Sequence, residues 1–166
     1  TILTAGEGES RIAAKIEAVV ERLPEHISIA YLPNLGAVKL RLTATGALEE
    51  TIKAEVHQFG AEIEAILGDL VFGHGKETLS SKIGDLATAK SLTIGTAESC
   101  TGGMVASKLV KTAGASAYFQ GSVVSYSNAL KNRLLGVEID TLQTYGAVSV
   151  HTVKEMVLGA NKHLGV

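Results

Sequence analysis

Two stretches of the chain place reactive side chains at the ends of apolar runs. Ala97-Glu98-Ser99-Cys100-Thr101-Gly102-Gly103 sets a serine just after the run Leu92 to Thr96, ahead of two glycines and a helical pattern. Tyr126-Ser127-Asn128-Ala129-Leu130-Lys131 sets a phenol and an amine just after Val123-Val124. A small nucleophile on a strand-to-helix turn, with a lysine and a tyrosine deliverable to it, is the residue set of an acyl-transfer site. Ser99 falls where an open α/β sheet places its ligands, beyond the carboxyl end of a strand. Gly102 and Gly103 permit a sharp turn, and the N–H groups of the helix start can meet an anion or a developing oxyanion. A desolvated amine at Lys131 can take the proton from Ser99, with Tyr126 relaying it or orienting the amine.

Each of these residues also has a plainer reading. Ser99 or Thr101 suits the cap of the helix that begins near Gly102. Lys131 can be a solvated surface lysine and Tyr126 a strand-end tyrosine with a wet hydroxyl. Cys100 is the rival nucleophile. Neighbours on a turn point differently, so only one of Ser99 and Cys100 can face a substrate, and Cys100 reads as a small buried filler. Tyrosine followed by lysine is also a dehydrogenase pattern, but four residues intervene here rather than three, and no G-x-G-x-x-G turn follows a first strand. His26, His57, His74, His151 and His163 show no paired ligand spacing. With one cysteine, no metal site is expected.

The elements that must position these groups follow from periodicity. Ile12, Ile16, Val19, Val20 and Leu23 have helical spacing, stopped by Pro24. Ile27, Ile29 and Tyr31 alternate, Pro33-Asn34-Leu35-Gly36 supplies a turn, and Val38, Leu40 and Leu42 alternate again, which predicts an antiparallel hairpin. Leu48, Ile52, Val56, Phe59, Ile63 and Ile66 rebuild a helical stripe. With Thr1-Ile2-Leu3 as a strand, this half reads β-α-β-β-α, a small α+β two-layer domain over residues 1–75. The glycine-bounded break at Val71-Phe72-Gly73-His74-Gly75 marks its end.

Beyond the break, Thr78 suits the cap of a helix carrying Leu79, Ile83 and Leu86. Strand Leu92–Thr96, helix Met104–Val110, strand Phe119–Ser125 and helix Asn128–Leu135 follow. A short turn from Ile139 to Leu142 then leads to a last helix, Val150–Leu164, with Val153, Val157 and Leu164 on one face. Strands alternating with helices predict a three-layer α/β/α domain with parallel strands over residues 76–166.

Composition bounds the class. Hydrophobic residues make up 46% of the 166 and the net charge is −2, as in a globular domain or two small ones. No run approaches the ~20 apolar residues of a membrane span. One cysteine and no basic-then-apolar leader lead us to expect a cytoplasmic protein. The ends read as cuts in a larger protein. Through Gly75 there are 11 acids against 6 bases, and after it 6 against 9. An acidic first domain argues against binding RNA or DNA.

Several strings together resemble the C-terminal domain of the CinA (competence/damage-inducible protein A) family. They are Thr96-Ala97-Glu98-Ser99-Cys100-Thr101-Gly102-Gly103, Gly114-Ala115-Ser116-Ala117-Tyr118-Phe119, Val124-Ser125-Tyr126-Ser127-Asn128, Lys131, Leu135-Gly136-Val137 and Tyr145-Gly146-Ala147-Val148-Ser149. Gly6-Glu7-Gly8-Glu9-Ser10, Ala30-Tyr31-Leu32-Pro33 and Leu40-Arg41-Leu42-Thr43 resemble the family's middle, KH-type domain. The resemblance implies a nicotinamide mononucleotide deamidase of pyridine nucleotide salvage, working through a serine acyl-enzyme without cofactor or metal. It implies Ser99, Tyr126 and Lys131 as catalytic residues, Thr101, Gly102, Gly103 and Asn128 as substrate-binding residues, and a homodimer. The family's N-terminal molybdopterin-binding-like domain has no counterpart here. A further strand and loop beyond Val166 are missing too, so the second domain is expected to be incomplete. The middle domain lacks a basic G-x-x-G loop, so its KH-type fold is not read as nucleic-acid binding. The rival reading is a non-catalytic nucleotide-binding or assembly module whose glycine turn holds phosphate.

Overall fold

The computed structural model describes residues 1–166, which divide into two compact units, Thr1–Leu79 and Ser80–Val166.

The first unit contains strand β1 (Ile2–Ala5), helix α1 (Glu9–Val20), strands β2 (Ile27–Asn34) and β3 (Ala37–Ala44), helix α2 (Glu49–Leu67) and strand β4 (Val71–His74). The β2–β3 hairpin forms where expected. Its ladder runs from Ile27 opposite Ala44 to Asn34 opposite Ala37, and the Asn34 side chain accepts the Leu35 N–H in the turn (2.8 Å). Alternation turns Val38 and Leu40 of β3 toward the helices, where they pack with Ile12, Ile16 and Val19 of α1 and Ile63 and Leu67 of α2. Burying each such side chain contributes about 1.5–3 kcal/mol. One element departs from the expectation. Val71–His74, read as a break, is a strand that pairs antiparallel with β1 and completes a sheet of order β2-β3-β1-β4.

The second unit opens with helix α3 (Leu79–Ala89, its first residue closing the first unit). It continues through strand β5 (Ile94–Glu98), helix α4 (Met104–Leu109), strand β6 (Phe119–Val124) and helices α5 (Asn128–Leu135), α6 (Ile139–Tyr145) and α7 (Val150–Leu164). β5 and β6 pair in parallel, Gly95 opposite Gly121 through Glu98 opposite Val124. Their alternate residues face opposite layers. Ala97 and Val123 pack with Met156 and Ala160 of α7, whereas Glu98 and Ser122 face α4. Gly95 and Gly121 leave room for Leu164, whose side chain comes within 2.7 and 3.3 Å of where their Cβ atoms would be. The unit is thus a layered α/β fold.

Three details differ from the sequence reading here. Ile139–Tyr145 is a helix rather than a turn. The buried face of α7 is Thr152, Met156 and Ala160, while Val153 and Val157 are exposed. On α3, Gly84 and Ala87 face inward and Leu79, Ile83 and Leu86 outward. Gly84 lets α3 approach the Tyr118 ring, and Gly159 lets α7 approach the Leu135 backbone, closer than a Cβ would allow. No helix is long and apolar enough to cross a membrane.

Candidate active site

The parallel pairing of β5 and β6 brings two chain segments out of the sheet side by side. Ser125 N–H donates to Glu98 O (2.8 Å), one residue past the last strand pair, so Ser99 and Tyr126 leave from neighbouring strand ends. Ser127 then caps α5, its hydroxyl accepting the Leu130 N–H (3.2 Å). That cap fixes the first turn of α5 and sends Lys131 back toward the strand ends.

Lys131 is only 2% exposed. Its Nζ lies 2.9 Å from Ser99 Oγ, 3.0 Å from Ser125 O and 3.1 Å from Tyr126 O. All three partners are oxygens of uncharged groups. The two carbonyls can only accept, so they fix two N–H bonds of the amine. The third contact works in either direction: an ammonium donates to the serine, and a neutral amine accepts the serine proton. The geometry is that of a hydroxyl and an amine wired to exchange one proton.

The turn after Ser99 is organised by Glu98, to which the sequence reading gave no role. The residue is 3% exposed. Its Oε2 accepts from Gly103 N–H (3.0 Å) and Val105 N–H (3.1 Å), and its Oε1 from Ala106 N–H (2.8 Å). The hydroxyls of Thr96 (3.3 Å) and Ser122 (3.5 Å) also reach Oε1. Burial pushes this carboxyl up. Donation from Ala106, the Thr101 side chain, Val105 and Gly103 outweighs burial and holds it at about 2, against an ordinary 4.5. A signal was present in the sequence: a carboxylate ending an apolar strand, with a helix starting a few residues on, has that helix's amide dipoles within reach.

The helix start is therefore not an open anion site, which corrects the expectation. Gly103, Val105 and Ala106 N–H are held by Glu98, and Gly102 and Met104 N–H by the carbonyls of Ser99 and Thr101. The N–H groups left uncommitted in the turn are those of Cys100 and Thr101, next to Ser99. Gly102 (φ 60°) and Gly103 (φ 95°) hold left-handed conformations that make this tight return possible.

The remaining sequence candidates divide. Tyr126 meets Lys131 through its carbonyl, while the residue as a whole is 71% exposed. Thr101 and Asn128 are exposed, and the Thr101 side chain is engaged with Glu98. Cys100 is exposed, not buried as expected: Ser99 takes the inward place against Lys131, and the following residue on the turn points outward. Ser125 is fully buried and its hydroxyl has no partner. No group of three or more His, Cys, Asp or Glu is placed to hold a metal ion.

A serine and a lysine in contact at the carboxyl ends of parallel strands, in a layered α/β unit, define a class of protein with a Ser–Lys pair at a strand-to-helix turn. Residues 76–166 match the family described as CinA C-terminal domain, and residues 1–73 match the Damage-inducible protein CinA KH domain. The chain belongs to the CinA family. It is 42% identical over 163 residues to a CinA-like protein of Flavobacterium psychrophilum, covering 98% of this chain and 39% of that protein. It is likewise 42% identical over 167 residues to a CinA-like protein of Cytophaga hutchinsonii (99% and 39%). The chain thus spans about two-fifths of these relatives' length. Among solved structures, the competence/damage inducible protein CihA from Agrobacterium tumefaciens aligns over 51% of this chain and 52% of its own, at 42% identity and a TM-score of 0.50. The competence damage-inducible protein A of Klebsiella pneumoniae aligns over 53% and 55%, at 34% identity and a TM-score of 0.52.

Proposed function

We propose that residues 76–166 form an amidohydrolase that converts nicotinamide mononucleotide and water to nicotinic acid mononucleotide and ammonia. The observation that carries this reading is the 2.9 Å contact between Lys131 Nζ and Ser99 Oγ, with both flanking carbonyls locking the amine in place. The substrate is supported by the resemblance of the strings around Ser99, Tyr126 and Lys131 to the CinA C-terminal domain.

In the proposed reaction the neutral amine of Lys131 takes the Ser99 proton as Oγ attacks the carboxamide carbon. The N–H groups of Cys100 and Thr101 are the donors free to meet the oxyanion. Collapse of the tetrahedral adduct breaks the C–N bond, and Lys131 returns the proton to the departing nitrogen, which leaves as ammonia. Water, deprotonated by the same amine, then cleaves the acyl-serine ester and restores both groups. The chemistry asks for no cofactor. The family likeness extends the proposal to a cytoplasmic homodimer serving pyridine nucleotide salvage.

Ammonia release from nicotinamide mononucleotide tests the reading. Ser99→Ala and Lys131→Met are each expected to lower kcat at least about 10³-fold, because residues acting as one unit fail together. Full activity in either variant overturns the mechanism.

A further inference from the structure

We infer that Glu98 is a positioning residue for the Ser99–Lys131 pair: its side chain ties the strand end to the start of α4 and thereby sets where the Ser99 hydroxyl stands. This rests on the reading of Ser99 as the nucleophile. Glu98 immediately precedes Ser99, and its two oxygens reach five, seven and eight residues ahead, to Gly103, Val105 and Ala106. The chain leaves the sheet at Glu98 and is caught again by the same side chain on its return, so the loop carrying Ser99 is closed at both ends. On the sheet side Thr96 donates to Ser122 Oγ (2.8 Å), and the Ser122 hydroxyl lies 3.5 Å from Oε1, a weaker link from the carboxylate back to the strands. A buried charge without a cationic partner is costly unless its hydrogen bonds are satisfied. Here amide dipoles and hydroxyls do that work, and they tie the carboxylate to the geometry of the turn.

An isosteric amide cannot reproduce this arrangement. In Glu98→Gln, the carbonyl oxygen can serve Gly103 and Val105, but the NH2 group then faces Ala106 N–H, donor against donor. The reverse orientation sets the NH2 group against two donors, Gly103 and Val105 N–H. Either way the turn must shift, and a displacement approaching 1 Å at the reacting atom costs on the order of 10²-fold in rate.

The test compares wild type, Glu98→Gln and Val105→Pro by two readouts. One is kcat and KM for ammonia release, and the other is the rate of Ser99 labelling by a fluorophosphonate probe, followed by intact mass. Val105→Pro keeps the carboxylate but deletes one of its donors in the first turn of α4, where N–H groups have no partner within the helix, so it serves even where Glu98→Gln fails to fold. Expected are a fall in kcat of about 10- to 100-fold for Glu98→Gln, a smaller fall for Val105→Pro, KM within about 3-fold, and labelling slowed in parallel. A role confined to stability lowers the melting temperature and leaves kcat per folded molecule and the labelling rate unchanged. That result overturns the inference, as does a Val105→Pro protein that works at the wild-type rate. Slowed labelling in the variants of a protein that releases no ammonia from nicotinamide mononucleotide supports the positioning role and rejects the substrate. A wild type unreactive by both readouts overturns both.

Discussion

Lys131 is a buried amine whose hydrogen-bond partners are a hydroxyl and two carbonyls, and those carbonyls decide what its neighbours do. Tyr126 supplies one of them from its main chain, so its phenol is not needed to hold the amine. Tyr126→Phe is therefore expected to keep kcat for ammonia release within about 3-fold of wild type, whereas loss of a true proton relay costs about 10²–10⁴-fold. A fall of that size in steady-state assays would return the phenol to the chemistry. Lys131→Arg should fail nearly as badly as Lys131→Met, because a guanidinium cannot give up its proton and is too broad for the place of an ammonium. At this scale Ser99 and Lys131 were legible in the sequence because each ends or follows an apolar strand. Glu98 was only half so: a carboxylate ending a strand ahead of a helix is a signal, but its partners are backbone N–H groups, and the same letters carry those whether they are free or occupied. The outward turn of Cys100 was hidden for a related reason: which neighbour on a turn faces inward depends on the helix across the sheet.

The α4 start depends on one carboxylate from another element, and that gives it a pH signature. The Glu98 carboxyl lies at about 2 in the folded chain, below its ordinary 4.5. A depressed value means the ionised form is favoured by folding, so its contribution is complete above about pH 4.5 and is lost as pH falls toward 2. The size is about 3 kcal/mol on the order-of-magnitude scale of 1.36 kcal/mol per unit. Urea unfolding at pH 6, 4 and 3 should show wild type losing progressively more of this increment, while Glu98→Gln lies lower at pH 6 and the gap narrows through pH 3, closing only toward pH 2. Parallel curves across that range would remove the assignment. Elements with local signals were readable: α5 and α7 begin at Ser127 and Ser149, whose side chains cap them, and end at Gly136 and Gly165 in left-handed conformations. β4 was not, since four residues that include a glycine become a strand only by pairing with β1, some seventy positions earlier. α6 begins without a side-chain cap, which left Ile139–Leu142 looking like a turn.

Across the whole chain, two layered units obey one packing rule, and their glycines should answer substitution in opposite senses. In the second unit, a Cβ at Gly159 of α7 would overlap the carbonyl of Leu135 on α5. Leu135 lies one turn beyond Lys131 on α5, so the crossing that needs Gly159 also fixes the helix that aims the amine. Gly159→Ala must push α5 and α7 apart. It is expected to destabilise this unit by about 1–3 kcal/mol, as overpacking does, and to slow ammonia release because Lys131 moves with its helix. In the first unit, Gly60 sits inside α2 with nothing within 4 Å of the Cβ it lacks. Gly60→Ala should stabilise that unit by about 0.5–1 kcal/mol through the lower backbone entropy of alanine in a helix. Hydrogen exchange resolved along the chain separates the two effects: slower exchange confined to α2 for Gly60→Ala with full activity, and faster exchange in α5 and α7 with reduced kcat for Gly159→Ala. Unchanged protection of α5 in Gly159→Ala would mean that the α5–α7 crossing does not hold Lys131 in place and that helix packing does not aim the reacting amine.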